Sequence, residues 1–519
     1  MTFTVRIVFP RRPPQEATLR LYQDNTWKAI PGVQFSENTA TYSVEDGSPL
    51  DADGRQNGQV VNTVALLVPA TSPAPATWMR TYGTPEVDQT TDATPTADGG
   101  YLITAYWYNV GSGAPAKPYL LKVNAEGRLE WSKFADIEFF PEKVVAAPDG
   151  GYLIAGTQEV DGISTRVVLL KVDDRGNRVW QKLYGLPQTR EVRDLFLFST
   201  PDGGYALLGT VTVDEAEGSW NWNTWLMKLD AQGNLLWQKG LAREGFETHL
   251  TAVKAVRDGY ILAGSHRSWS LDSYHLMVVK LGPEGQILWK KMFSEPPSDC
   301  GVGLDIEGTP DGGYVVLGWC GVPDSQRILR DDVFLMRLDG EGNLLWSKRY
   351  GGESNDRGND LLVTPDGGYL VGGWTGIAPG GAWLLKLDPQ GNVEWERTYR
   401  GSNTTIRNGD EFDRIFAVDG GYVVVGYTDK LSSWVGSEYN SGDIWVLKVD
   451  AQGRVANCDA SVVQGNGGSW VREVPLQGLD PNDPTYNRWI AFDPGFTPQP
   501  LSLSLQEGFM SEMGTQCGR

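Results

Sequence analysis

Residues 346–395 read WSKRYGGESNDRGNDLLVTPDGGYLVGGWTGIAPGGAWLLKLDPQGNVEW. The tyrosine that closes the DGGY signature in this stretch recurs at Tyr101, Tyr152, Tyr205, Tyr260, Tyr314, Tyr369 and Tyr422. The opening tryptophan recurs at Trp78, Trp131, Trp180, Trp237, Trp289, Trp346 and Trp395. A period near 50 residues built from strand and turn signals means an array of small sheets. Each copy holds four strand-like pieces, here WSKRYG, DLLVTPDG, GYLVGGWT and AWLLKLD. The Asp-Gly-Gly and LDPQGN segments are turns, because glycine accepts positive φ. Connections this short force antiparallel neighbours. Each copy is therefore a four-stranded meander that buries both faces only against its neighbours.

The expected fold is all-β: a seven-bladed β-propeller of four-stranded blades. The last copy, DIWVLKVDAQG, runs into RVANCD and has no tryptophan strand after it. The missing strand stands at 77–83 (TWMRTYG), so an N-terminal strand is expected to close the ring. Large residues three before the basic residue of the fourth piece (Tyr119, Trp225, Phe334, Trp383, Trp445) read as blade-to-blade packing. Residues 1–70 form a different module, a small β-sandwich suggested by alternating runs such as TFTVRIVF and TATYSVED. Residues 71–76 are a linker, 77–457 the propeller, and 458–519 a β-rich tail.

The LDxxGNxxW element resembles the tryptophan-docking element of quinoprotein-type propellers. The whole DGGY unit resembles a repeat of secreted bacterial and archaeal surface proteins. The run EDGSPLDADGRQNG, together with VFP, LYQDNTW and KAIPG, resembles the choice-of-anchor domain of bacterial envelope proteins. That resemblance implies an extracellular or cell-surface location, with Met1 beginning a processed or recombinant chain.

The chain has 45 Lys and Arg against 65 Asp and Glu, a formal charge of −20. With no basic stripe, nucleic acid is not an expected partner. No run of about 18 apolar residues offers a transmembrane segment. Asp46, Asp51, Asp53 and Asn57 form an oxygen-rich, glycine-punctuated loop, the expected place for calcium. The alternative there is an Asx-turn loop without metal. Four cysteines without a CxxC pair permit two disulfides, with Cys300 and Cys320 at one end of a hairpin and Cys458 and Cys517 bracketing the tail. His249, His266 and His275 share one repeat and one rim; solvated contacts are expected there rather than a metal site.

An aspartate nine residues before the signature tyrosine occurs at Asp92, Asp305, Asp360 and Asp413. These are expected to bond local backbone amides. No GxSxG, HExxH or P-loop pattern is present, and no vicinal cysteine pair. The expected function is therefore non-enzymatic: an exported platform binding a surface glycan or protein. Its specificity would lie on the rim opposite the DGG turns, in 211–222, 319–332 and 428–443, carrying Trp220, Trp222, Trp319, Trp434 and Tyr439. The alternatives are self-assembly into a filament, sheath or surface layer, and a carbohydrate-active enzyme or oxidase on this scaffold.

Overall fold

The computed structural model describes residues 2–8, 18–23, 26–30, 33–36, 39–45 and 64–67. It then describes 77–455, except 85–86, 109–115, 136–138, 160–164, 186–188, 215–219, 244–245, 269–272, 295–298, 324–328, 353, 377–379, 401–409 and 429–441. Last come 470–473, 477–479, 489–492, 497–499, 505–507 and 511–515. The described residues are strand and turn, with no helix among them. They form two compact units, Met1–Ala76 and Thr77–Arg519. The first holds two three-stranded sheets, in which Thr2–Val8 and Gln34–Ser36 flank Thr39–Glu45, and Thr26–Ala29 and Val64–Leu67 flank Thr18–Gln23.

The second unit repeats one four-stranded antiparallel pattern. Around Tyr369 the order is Asp356–Val363, Tyr369–Thr375, Gly381–Leu387, Val393–Tyr399. The Trp346 strand belongs to the preceding sheet, where Trp346 faces Arg337. The last copy supplies Glu411–Val418, Gly421–Thr428 and Asp443–Asp450, and takes Trp78–Gly83 as its fourth strand, from Ile444↔Tyr82 to Lys448↔Trp78.

The signature residues explain the turns. Gly367 sits at φ 83°, a left-handed conformation that glycine adopts freely. A Cβ on the next residue, Gly368, would lie 2.2 Å from Leu387 O. Asp366 accepts from the Gly368 N–H (3.1 Å) and pairs with buried Lys386 (3.0 Å) from the third strand. The DGG aspartate thus caps its own turn and neutralises a lysine inside the sheet stack. Lys122–Asp98 and Lys228–Asp202 repeat this pairing.

The tryptophans join one sheet to the next. Trp346 packs so close to Gly391, in the following sheet's turn, that a Cβ there would lie 2.8 Å from the indole. Tyr350 donates its hydroxyl to Gly391 O (2.7 Å), and Lys348 lies over Trp346 while donating to Gln390 O (2.8 Å). The same contact links Trp131 to Gly176, Trp289 to Gly342 and Trp395 to Gly453, and Trp78 to Gly127 of the first copy. Tyr119, Trp225, Phe334, Trp383 and Trp445 are all buried in the clusters between sheets. One cluster packs Ile444 and Val446 of the last copy against Tyr101 and Tyr119 of the first.

The tail is β-rich, as its sequence suggests, and its described strands pair with the repeats. Its short strands add to the outer edges of the repeats. Trp470–Glu473 pairs with Leu344–Gly351, Gln477–Leu479 with Ile287–Ser294, and Trp489–Phe492 with Leu235–Arg243. Thr497–Gln499 pairs with Arg178–Gly185, Leu505–Glu507 with Leu129–Ala135, and Ser511–Thr515 with Trp78–Gly83. The tail therefore meets these partner strands in reverse sequence order.

Candidate functional site

The first strands of the repeats surround a cavity of about 800 Å³. Each of these strands carries a β-bulge at the same place, for example between Thr90 and Asp92, Gly303 and Asp305, and Gly358 and Asp360. A bulge sharpens twist and re-aims the side chain that follows it. The ladder position just after the bulge is held by Asp92, Lys143, Phe196, Ala252, Asp305, Asp360 and Arg414. Two residues further on, on the same face of each strand, stand Thr94, Val145, Phe198, Lys254, Glu307, Leu362 and Phe416. Apart from Ala252, these residues line the cavity.

The last copy departs from the aspartate spacing of this tier. Asp413 is nine residues before Tyr422, yet the ladder puts Arg414 in the position of Asp92, Asp305 and Asp360. The turn before Tyr422 is shorter: Ala417 pairs with Tyr422, whereas Pro95 pairs with Tyr101. A one-residue slip sends a side chain to the other face. Asp413 therefore sits on the bulge, where Thr90 of the first copy donates to it.

The aspartates accept backbone amides of the next sheet, and Asp305 also accepts the local Ile306 N–H (2.8 Å) of its own strand. Val144 N–H donates to Asp92 (2.7 Å), Leu361 N–H to Asp305 (3.0 Å) and Ile415 N–H to Asp360 (2.6 Å). Arg414 donates to Asp360 (2.9 Å) and also to Asp92, joining first strands of three copies. Burial works against its charge, but Asp92, Asp360 and Asp305 outweigh it and hold the guanidinium ionised. Burial pushes the Asp360 carboxyl up to about 6 against the pull of Arg414. Burial likewise raises Asp305 and Glu307, although Lys254 pairs with Glu307. Lys143 is different: its ammonium lies 5.0 Å from the Phe196 ring centre, and burial together with Arg414 pushes it toward the neutral amine. One wall of the cavity is thus ionic and the opposite wall, Val145, Phe196 and Phe198, is apolar.

The other candidates fare unevenly. Asp46, Asp51, Asp53 and Asn57 lie outside the described residues, as do Trp434, Tyr439, Cys458 and Cys517. Cys320 is buried and disulfide-bonded, and the ladder sets Cys300 directly opposite it. His266 and His275 are ladder partners, with His249 one position away opposite Ser265. Burial lowers the pKa of His249 and of His275. Among the described residues no group of three or more His, Cys, Asp or Glu side chains could hold a metal. The described parts of the segments 211–222 and 319–332, read as rim loops, are strand: Tyr205–Asp214 pairs with Trp220–Leu229, and Tyr314–Pro323 with Leu329–Leu338. Three consecutive β-branched residues (Val211, Thr212, Val213) continue the ladder beyond Thr210. Trp220 and Trp222 stand on such a strand, and Trp319 is half-buried under Arg357 (5.9 Å).

No protein-family model matches the chain, and no curated protein matches it. Among solved structures, it is similar to a protein of unknown function from Dyadobacter fermentans, at 13% identity over 61% of this chain and 95% of that one, with a TM-score of 0.39. It is also similar to acylaminoacyl peptidase from Pyrococcus horikoshii, at 12% identity, with a TM-score of 0.29, covering 66% of this chain and 58% of the peptidase. Neither likeness bears on activity.

Proposed function

We propose that residues 77–519 form a closed seven-bladed β-propeller serving as a rigid, non-enzymatic binding platform of an exported surface protein. The observation that carries it is the engagement of the cavity carboxylates. Asp92, Asp305 and Asp360 are spent on amides of the next sheet and on Arg414, so they brace the ring instead of standing ready for proton transfer. The pairing of Trp78–Gly83 with the last copy supports closure. The disulfide at Cys320 supports an oxidising compartment. The partner class is a surface glycan or protein. A glycan with one apolar face suits the cavity, stacking on Phe198 opposite the ionic wall. A glycan array probed with the full chain and with Phe198→Ala tests this: binding that weakens in the variant is expected, and no binding by either protein overturns the glycan reading.

A second reading, a carbohydrate-active enzyme on the propeller, is favoured by Asp305 and Glu307. Both carboxyls are raised by burial and both line the cavity from one strand. Turnover of any glycan that Glu307→Gln abolishes would establish it. Calcium at Asp46, Asp51, Asp53 and Asn57 remains part of the proposal for the N-terminal module, which we read as a small sandwich. Loss of thermal stability on chelation, suppressed in Asp51→Asn, is the expected outcome.

A further inference from the structure

Where the last copy meets the first, two buried carboxylates converge on one point. Asp443 is fully buried, and among the described residues neither of its carboxylate oxygens has a hydrogen-bond partner. Asp88, also fully buried, stands beside it. A Cβ added to Gly83 would lie 2.5 Å from Asp443 Oδ1 and 3.0 Å from Asp88 Oδ2. The two side chains therefore face one small space, kept open because residue 83 has no side chain. Asp88 is fixed in place: Tyr119 donates its hydroxyl to Oδ1 (2.9 Å) and the Thr84 hydroxyl to Oδ2 (2.9 Å).

The repeat supplies its own control. By ladder register, Asp332, Arg349, Gly351 and Asp356 of another pair of sheets correspond to Asp443, Thr81, Gly83 and Asp88. There too a Cβ on the glycine would meet both carboxylates, Asp332 Oδ1 at 2.4 Å and Asp356 Oδ2 at 3.0 Å. That pair, however, has a resident cation: Arg349 Nε lies 3.0 Å from Asp332 Oδ2. At the other junction the arginine position is Thr81, opposite Trp445 in the ladder. Two buried like charges need a compensating positive charge, and truncating one partner of such a set is costly.

We propose that the junction of the last and first repeats binds a hard divalent cation of the calcium class, held by both oxygens of Asp443 and by Asp88 across Gly83. An all-oxygen, doubly anionic donor set selects such an ion over softer metals. With two carboxylates the affinity belongs at the weak end, a Kd of about 10⁻⁴–10⁻³ M. Because its ligands come from both ends of the repeat array, the ion would clasp the ring at its seam. The proposal rests on the closed ring of the proposed function. The competing source of positive charge is a proton, since burial and Asp88 push Asp443 up to about 7.

The test uses the metal-free full chain, with calcium itself as the probe, followed by thermal melting and by tyrosine-sensitised terbium luminescence. Calcium is expected to raise the melting temperature of the wild type. Asp443→Asn, a nearly isosteric change, is expected to lose the larger part of that response and of the terbium signal, leaving only what the loop of Asp51 and Asp53 contributes. Thr81→Arg, which installs the resident cation of the equivalent junction, is expected to melt higher without calcium and to respond to it no more than Asp443→Asn does. The proposal is overturned if the wild type ignores calcium and terbium and is stabilised only by acidification through neutral pH. It is equally overturned if both variants keep the full calcium response, which would put the ion elsewhere, such as the loop of Asp51 and Asp53. A ring that fails to close would show instead as indifference to deleting residues 76–84.

Discussion

At the residue scale the molecule is braced by charges that bridge sheets. Arg414 is shared by Asp92 and Asp360, both buried. Arg414→Met should therefore cost about 3 kcal/mol or more, since it strands two carboxylates in place of a satisfied network. Chemical denaturation reads that loss directly. Asp92, Asp305 and Asp360 were legible as a set from their spacing to the signature tyrosine; Arg414 was not. Its tier position depends on a turn shortened by one residue, and counting along the chain cannot detect which strand position a turn discards. Gly391 offers a finer comparison. It shares a left-handed backbone with Gly367, at φ 74° and 83°. A methyl on Gly367 meets only Pro389 at 3.8 Å, whereas one on Gly391 drives into Trp346 at 2.8 Å. Gly367→Ala should cost about 1–2 kcal/mol of left-handed strain alone. Gly391→Ala should cost distinctly more, and equal melting temperatures for the two variants would show that the indole yields.

At the element scale the recurring device is the hairpin whose turn aspartate reaches the lysine of the third strand. Burial alone would raise Asp98, but Lys122, the Thr96 hydroxyl and the Gly100 amide outweigh it and hold the carboxyl at about 2. Asp202 is held at about 2 in the same way by Thr200, Lys228 and Gly204. A carboxyl depressed in the fold favours the folded state above its ordinary value of 3.8, and that contribution fades as pH falls from there through about 2. Wild-type stability should therefore drop on acidification below about pH 4. In Asp98→Asn the drop should be shallower, because one titrating group is gone; pH-dependent melting checks this. These hairpins were legible because DGG encodes its own geometry. The long hairpins at 205–229 and 314–338 were not, because polar and glycine-rich runs in them look like loops until a partner strand satisfies their backbone.

At the scale of the whole molecule the problem is edges. A stack of such sheets would leave each outer strand with unpaired N–H and C=O groups, an open template for association. The tail answers this by pairing with six of the strands that carry the repeat tryptophans, ending on Trp78–Gly83. Among the described residues no tail strand pairs with Val393–Tyr399. The sequence hid this arrangement because each tail strand is three to five residues long and gains its register only from the edge it meets. A chain ending at residue 469 separates the two kinds of edge. Its core clusters between sheets remain whole, so far-ultraviolet circular dichroism should stay close to that of the full chain. Hydrogen exchange should accelerate at 348–351, 240–243 and 133–135, which lose their partners, and hold steady at 393–399, which loses none. The freed edges should also pair between molecules, so light scattering should rise with concentration in the truncated chain and stay flat in the full one. If exchange at 348–351 were unchanged by truncation, the tail would not be an edge cover, and protection of those amides would have to come from the sheet alone.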